Sequence, residues 1–176
     1  RGGQGAKTAS QFIVEAALEK GKHIQSFPEY GPERAGAPMK AFARISDKRI
    51  STYAPVVNPD VVIVIDPTLL NSVDVTEGLL DNGILLVNTS STPEEIKKKI
   101  KFNGKCMTVD ATKISLEAVG KNLPNTPMIG ALIKATNCIE LKDIEDSIKQ
   151  KFLKKLGELK TQATIDAVRK AHDEVQ

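Results

Sequence analysis

Apolar residues recur along this chain with two periods, and the alternation between them sets the expected fold. Over residues 7–20 the apolar positions Ala9, Phe12, Ile13, Ala16, Ala17 and Leu18 gather on one broad face, as an amphipathic helix requires. Gly21 stands just past the end, where a C-cap belongs. Residues 23–27 read as a short strand. Residues 40–45 and 49–53 read as two strands around the turn Ser46-Asp47-Lys48, a hairpin. Val61-Val62-Ile63-Val64-Ile65 is apolar on both faces, the mark of a central parallel strand, and Asp66-Pro67 ends it. Residues 71–80 predict a helix. Residues 84–87 and 106–109 predict two further apolar strands. Thr92-Pro93-Glu94-Glu95 supplies an N-cap, a proline at the first helical position and a glutamate at the third, so a helix should run from there to about Ile100. Residues 111–119 predict the next helix and 128–138 a buried one. Residues 141–156 and 157–175 predict two charged amphipathic helices.

Strands alternating with helices predict an α/β fold: a doubly wound, mostly parallel but mixed sheet, Rossmann-like, within a single domain spanning residues 1–176. The hairpin at 40–53 is a β excursion from that rhythm, and 140–176 forms a helical C-terminal part. Right-handed crossovers place the loops after Phe27, Ile65 and Val87 at the carboxyl edge of the strands, where ligands bind in such sheets.

The first eight residues, Arg1-Gly2-Gly3-Gln4-Gly5-Ala6-Lys7-Thr8, belong to the same edge. Glycines that open directly into a helix let backbone N–H groups approach a phosphate, which the helix N-terminus also favours. Such loops normally follow a strand, so residues upstream of Arg1 are expected. Three readings stand. A Walker A loop would match Lys7-Thr8 but misses both of its glycines. A dinucleotide fingerprint would be met by Gly2 and Gly5 if a glycine preceded Arg1, with Glu29 as the ribose acid, although Glu29 sits inside the proline-rich loop 28–38. A tight turn without ligand is the third.

Composition narrows the chemistry. Of the 176 residues only 4% are aromatic, so the core must be aliphatic. A net charge of +3, with 27% charged residues of both signs, gives no concentrated basic stripe and no case for nucleic acid. The runs Lys97-Lys98-Lys99 and Lys154-Lys155 read as solvated faces, or as contacts to an acidic partner or another subunit. No run of about 18 apolar residues is present, so no membrane span is expected. Cys106 and Cys138 are too few for an all-thiolate iron–sulfur cluster, which needs four. His23 and His172 are too isolated for a zinc site, so no metal is assigned.

Three segments occur together in one order and spacing: Arg1-Gly2-Gly3-Gln4-Gly5, Tyr30-Gly31-Pro32-Glu33-Arg34-Ala35-Gly36-Ala37-Pro38, and Asn125-Thr126-Pro127-Met128-Ile129-Gly130-Ala131. In these the chain resembles the gamma subunit of pyruvate:ferredoxin oxidoreductase and of relatives acting on other 2-oxoacids. The resemblance covers essentially the whole chain. It implies an enzyme that converts a 2-oxoacid, coenzyme A and oxidised ferredoxin into acyl-coenzyme A, carbon dioxide and reduced ferredoxin. It implies thiamine diphosphate with Mg between alpha and beta subunits, and iron–sulfur clusters on a ferredoxin-like delta subunit. This chain would then be a required, non-catalytic subunit, inactive alone, in an anaerobic cytoplasm. Ala35 departs from the second arginine that many members carry after Arg34. The resemblance leaves open the pyruvate-type, 2-oxoisovalerate and indolepyruvate enzymes, though Tyr30 to Arg34 with Ala37-Pro38 favours the first.

Given that reaction, Gly2, Gly3, Gln4, Gly5, Lys7 and Thr8 are the candidate coenzyme A phosphate contacts. Tyr30, Gly31, Pro32, Glu33, Arg34 and Gly36 form a stiff loop expected to close the active site or meet a neighbouring subunit. Asn125, Thr126 and Gly130 are expected to support them, with Thr126 as the N-cap before Pro127. Gly130 inside a helix suggests close packing against backbone or ligand. The rival from another class is a stand-alone nucleotide-binding α/β protein.

Overall fold

The glycine loop ends where side chains able to hold a helix begin. In a computed structural model, which describes residues 2–29 and 37–176, α1 (Ala6–Leu18) starts at Gly5 and buries Phe12, Ile13, Val14, Ala16 and Ala17. It packs on a two-stranded antiparallel ribbon, β1 (His23–Glu29) and β2 (Lys40–Ser46), in which Ile24 faces Ile45 and Phe27 faces Phe42. Ile24 and Ile45 turn toward α1, and Ser10 and Ser26 hydroxyls meet at 3.1 Å. Phe27 and Phe42 lie on the opposite face, 5.2 Å apart, with the Arg44 guanidinium over the Phe27 ring.

The apolar runs form a second, parallel sheet in the order β3 (Val61–Val64), β4 (Ile84–Asn88), β5 (Lys105–Val109). The central strand explains its own composition. Leu85 and Val87 face a cluster with Val64, Leu70, Cys106 and Ile96, the last from α2 (Pro93–Ile100). Leu86 faces the other way, into a cluster with Ile114 of α3 (Ala111–Val119), Met128 and Ala131 of α4 (Asn125–Thr136), and Ala167 and Ala171 of α6 (Glu158–Glu174). Both faces are thus covered, as a parallel sheet requires. A third cluster joins α1 to Ile129 and Ile133 of α4, Ile144 and Ile148 of α5 (Leu141–Leu156), and Ile165 and Val168 of α6. The α/β reading therefore holds, with the parallel and antiparallel parts in separate sheets.

Local departures have identifiable causes. Residues 49–53 form no strand; the partner of β2 is β1. Carbonyls of the segment are taken by side chains instead: Gln25 donates to Thr52 O, and Arg44 to Ala54 O and Pro55 O. Residues 71–80 form no α-helix. A 3₁₀ turn, Pro67–Asn71, precedes them. The Asp74 carboxylate then accepts from both the amide and the hydroxyl of Thr76, an alternative to helical bonding. Gly78 sits at φ +74°, where a Cβ would stand 2.0 Å from Val57 O. The capping box at Thr92 and Glu95 forms as the residues predict.

Candidate functional site

Five short chain segments meet at the carboxyl edge of the parallel sheet around a cleft of about 480 Å³. Gly3, Gln4, Gly5 and Thr8 form one wall; Ile65, Asp66 and Pro67 follow β3; Asn88 and Thr112 form the floor; Asn122, Leu123, Pro124 and Asn125 form the far wall. The expectation that the glycine loop and the loops after Ile65 and Val87 share one edge is borne out, but Phe27 is not followed by a loop at this edge: it lies inside β1 of the separate antiparallel ribbon.

The backbone of the first wall is built for close approach. Gly3 and Gly5 hold φ of +88° and +81°, which L side chains rarely adopt. A Cβ on Gly5 would also stand 2.6 Å from Asn125 Nδ2, so the loop and the start of α4 touch without space for a side chain. Gly2 donates to Ala37 O at 3.4 Å.

Helix ends give the cleft its polarity. The first N–H groups of a helix lack intrahelical partners. At α3, Asp110 accepts from Lys113 N and Asn88 Oδ1 accepts from Thr112 N, at 2.9 and 3.1 Å. At the 3₁₀ turn Asp66 accepts from Thr68 N at 2.9 Å. At α1 and α4, which begin at Gly5 and Pro124, no side chain caps the helix among the described residues. Two helix N-termini whose cap residues, Gly5 and Pro124, make no side-chain cap bond therefore border one cleft, and the helix dipole at each favours an anion.

Side chains bind the walls together. Gln4 Nε2 donates to Asp66 Oδ2 at 3.1 Å, and Thr68 Oγ1 donates to Asp66 Oδ1 at 2.7 Å. The buried Asn88 amide donates to Ile65 O at 2.8 Å and to Thr112 Oγ1 at 2.9 Å. Ser115 Oγ donates to Thr112 O and accepts from Leu123 N.

The sequence-derived candidates divide accordingly. Gly3, Gln4, Gly5, Thr8 and Asn125 line the cleft. Lys7 is exposed and does not line the cleft. Thr126 is not an N-cap: α4 starts at Asn125, after Pro124, and Thr126 is its second residue. Gly130 lies buried inside α4 and meets α6, not the cleft. Tyr30, Gly31, Pro32, Glu33, Arg34 and Gly36 lie outside the described residues. Glu29, the candidate ribose acid, closes β1, exposed and outside the lining. Asn88, Thr112 and Ser115 were not singled out by sequence. Their only signal is a polar residue ending an apolar strand and hydroxyls in the first turn of the following helix.

A second hollow, near Thr89, Asp110, Lys113 and Lys170, has a charged lining that pairs within itself, with Lys170 2.7 Å from Glu117. Among the described residues no group of three or more His, Cys, Asp or Glu gathers as metal ligands would. No helix is long and apolar enough to cross a membrane.

Comparison with known proteins places the chain in a family. Residues 1–174 match the family model described as pyruvate ferredoxin/flavodoxin oxidoreductase. The pyruvate synthase subunit PorC of Thermotoga maritima is 51% identical over 176 residues, covering 100% of this chain and 91% of that protein. The common gamma subunit of pyruvate/ketoisovalerate oxidoreductases of Thermococcus kodakarensis is 47% identical over 171 residues, covering 97% and 92%. The crystal structure of the Thermotoga maritima pyruvate oxidoreductase subunit PORC superimposes with a TM-score of 0.90 at 49% identity, covering 100% and 93%. The sequence and fold shared with these proteins define a gamma-type subunit of a 2-oxoacid oxidoreductase. The chain belongs to the pyruvate ferredoxin/flavodoxin oxidoreductase family.

Proposed function

We propose that this chain serves as the gamma subunit of a cytoplasmic 2-oxoacid:ferredoxin oxidoreductase and that its cleft receives the diphosphate of coenzyme A. The observation that carries the reading is the pair of uncapped helix N-termini, α1 and α4, facing one cleft behind two positive-φ glycines. Backbone N–H groups there would bind the diphosphate, Gln4 and Asn125 would supply polar side chains around it, and Thr8 a hydroxyl. Such binding orients the thiol-bearing arm toward a partner subunit, where the acyl group is made; holding a reactant in place is this chain's contribution to rate.

Thiamine diphosphate, Mg and iron–sulfur clusters belong, in this reading, to the alpha, beta and delta partners. The residues here do not fit a cluster. Cys106 is buried in β5 with its thiol pushed up to about 11 by burial, and Cys138 lies beyond the end of α4. No electron-transfer step is therefore routed through this chain. The rival, free nicotinamide dinucleotide binding, needs an acid at the ribose, and Glu29 is not at the cleft.

Calorimetric titration of the assembled enzyme tests the reading, with coenzyme A, pantetheine and NAD as ligands. Coenzyme A should bind well and pantetheine, which lacks the diphosphate, much more weakly. Equal binding of pantetheine, or binding of NAD in place of coenzyme A, would reject it.

A further inference from the structure

Each wall of the cleft hangs from a different element, and one buried side chain at the end of β4 joins the end of β3 to the start of α3. Asn88 is 2% exposed and ends β4. Its Nδ2 donates to Ile65 O at the end of β3 and to Thr112 Oγ1 on α3, while its Oδ1 accepts from Thr112 N. From these contacts the links continue both ways. Ile65 leads to Asp66, which accepts from Gln4 of the glycine loop. Thr112 leads through Ser115 to Leu123, and Leu123 leads to Asn125, which rests on Gly5. The sequence of contacts closes on itself around the cleft.

Both N–H groups of the Asn88 amide are used inward, so it has no donor left for a ligand. Its effect is to fix distances. It takes up the Thr112 donor at α3, leaving α1 and α4 as the uncapped ends, and it sets how far the Gln4–Asp66 wall stands from the Leu123–Asn125 wall. Buried polar networks of this kind are rigid when fully satisfied, and a binding site depends on such support for sub-ångström placement.

We propose that Asn88, acting through Thr112, is a positioning residue that sets the spacing of the two cleft walls and thereby the affinity for the diphosphate of coenzyme A. This inference rests on the coenzyme A reading of the cleft.

The test uses the assembled enzyme and three variants of this chain: Thr112→Val, isosteric but lacking the acceptor for Asn88; Thr112→Ser, which restores it; and Gly5→Ala, which intrudes on the cleft itself. Steady-state KM for coenzyme A and for the 2-oxoacid, kcat and melting temperature are measured for each. The expected result is a KM for coenzyme A raised about tenfold in Thr112→Val, equivalent to one well-placed hydrogen bond. The 2-oxoacid KM should stay unchanged, kcat should fall much less, and Thr112→Ser should return close to the parent. If Gly5→Ala raises that KM and Thr112→Val does not, the positioning role is wrong and the cleft assignment survives. If neither variant changes it, the cleft assignment itself fails. If Thr112→Val lowers melting temperature and kcat and raises both KM values together, the role is structural only and the proposal is overturned.

Discussion

A Cβ placed on Gly130 would stand 2.0 Å from the carbonyl oxygen of Val168, so α4 and α6 meet backbone to backbone at this point. Glycine costs an exposed helix interior about 1 kcal/mol relative to alanine. Here the sign should reverse. Gly130→Ala must push two buried helices apart, and overpacking of that kind costs about 1–3 kcal/mol or more. Denaturant titration should show the loss. A variant as stable as the parent would mean that the two helices can separate freely.

Gly5 is constrained twice, by its positive φ and by Asn125. Gly5→Ala should therefore destabilise through both causes, and the double variant Gly5→Ala/Asn125→Gly should recover only the steric part. A double-mutant cycle in melting experiments should give a coupling on the order of 1 kcal/mol. Additive effects would exclude the contact between loop and helix.

Cys106 should be nearly inert in the folded chain. Burial raises its pKa to about 11, against an unperturbed value of about 8.5. At pH 8 this leaves roughly two orders of magnitude less thiolate than a free cysteine has, and thiolate is the reacting form. Alkylation under native conditions should occur at Cys138, which is half-buried, and reach Cys106 only on unfolding. The same shift predicts a pH effect. Below about pH 8.5 both states hold the proton and the group has no influence. Between that pH and about 11 the unfolded state loses it first, so stability falls as pH rises. Cys106→Ala should flatten that part of the stability profile.

Arg169 of α6 grips Glu145 of α5 with two bonds, to Oε1 at 2.5 Å and Oε2 at 2.7 Å. Glu145 is mostly buried while Arg169 is about half exposed. Removing the arginine leaves a buried carboxylate short of partners. Arg169→Ala should cost about 1 kcal/mol, the solvent exposure of the guanidinium holding the figure low. Added salt should shrink the difference between parent and variant in denaturant titrations.

Continuous apolar runs were readable because they admit one outcome. Ile84 to Val87 has no polar face and forms the central strand β4, covered on both sides, so its place in a parallel sheet followed from residue type. Val61 to Val64 reads the same way but forms the edge strand β3, where Ile63 is exposed, because residue type does not say which apolar strand lies in the middle. The capping box at Thr92 and Glu95 was equally local. Pairing between distant strands was not local. Whether β2 would join residues 49–53 or β1 depended on Arg44 and Gln25 reaching the intervening carbonyls. The helix expected at 71–80 was lost to two short-range competitors, the Asp74–Thr76 turn and the approach of Gly78 to Val57. The glycine loop announced the cleft in sequence. Asn88 and Thr112 did not, because an asparagine after an apolar strand carries no sign of the three groups it will join.

The helix α4 supplies Ile129 and Ile133 to the cluster around α1, and Met128 and Ala131 to the cluster beneath the parallel sheet. One helix is thus a common wall of two cores. Neither core can melt without exposing a face of that helix and weakening the other, so heating should produce a single cooperative transition with coincident calorimetric and spectroscopic midpoints.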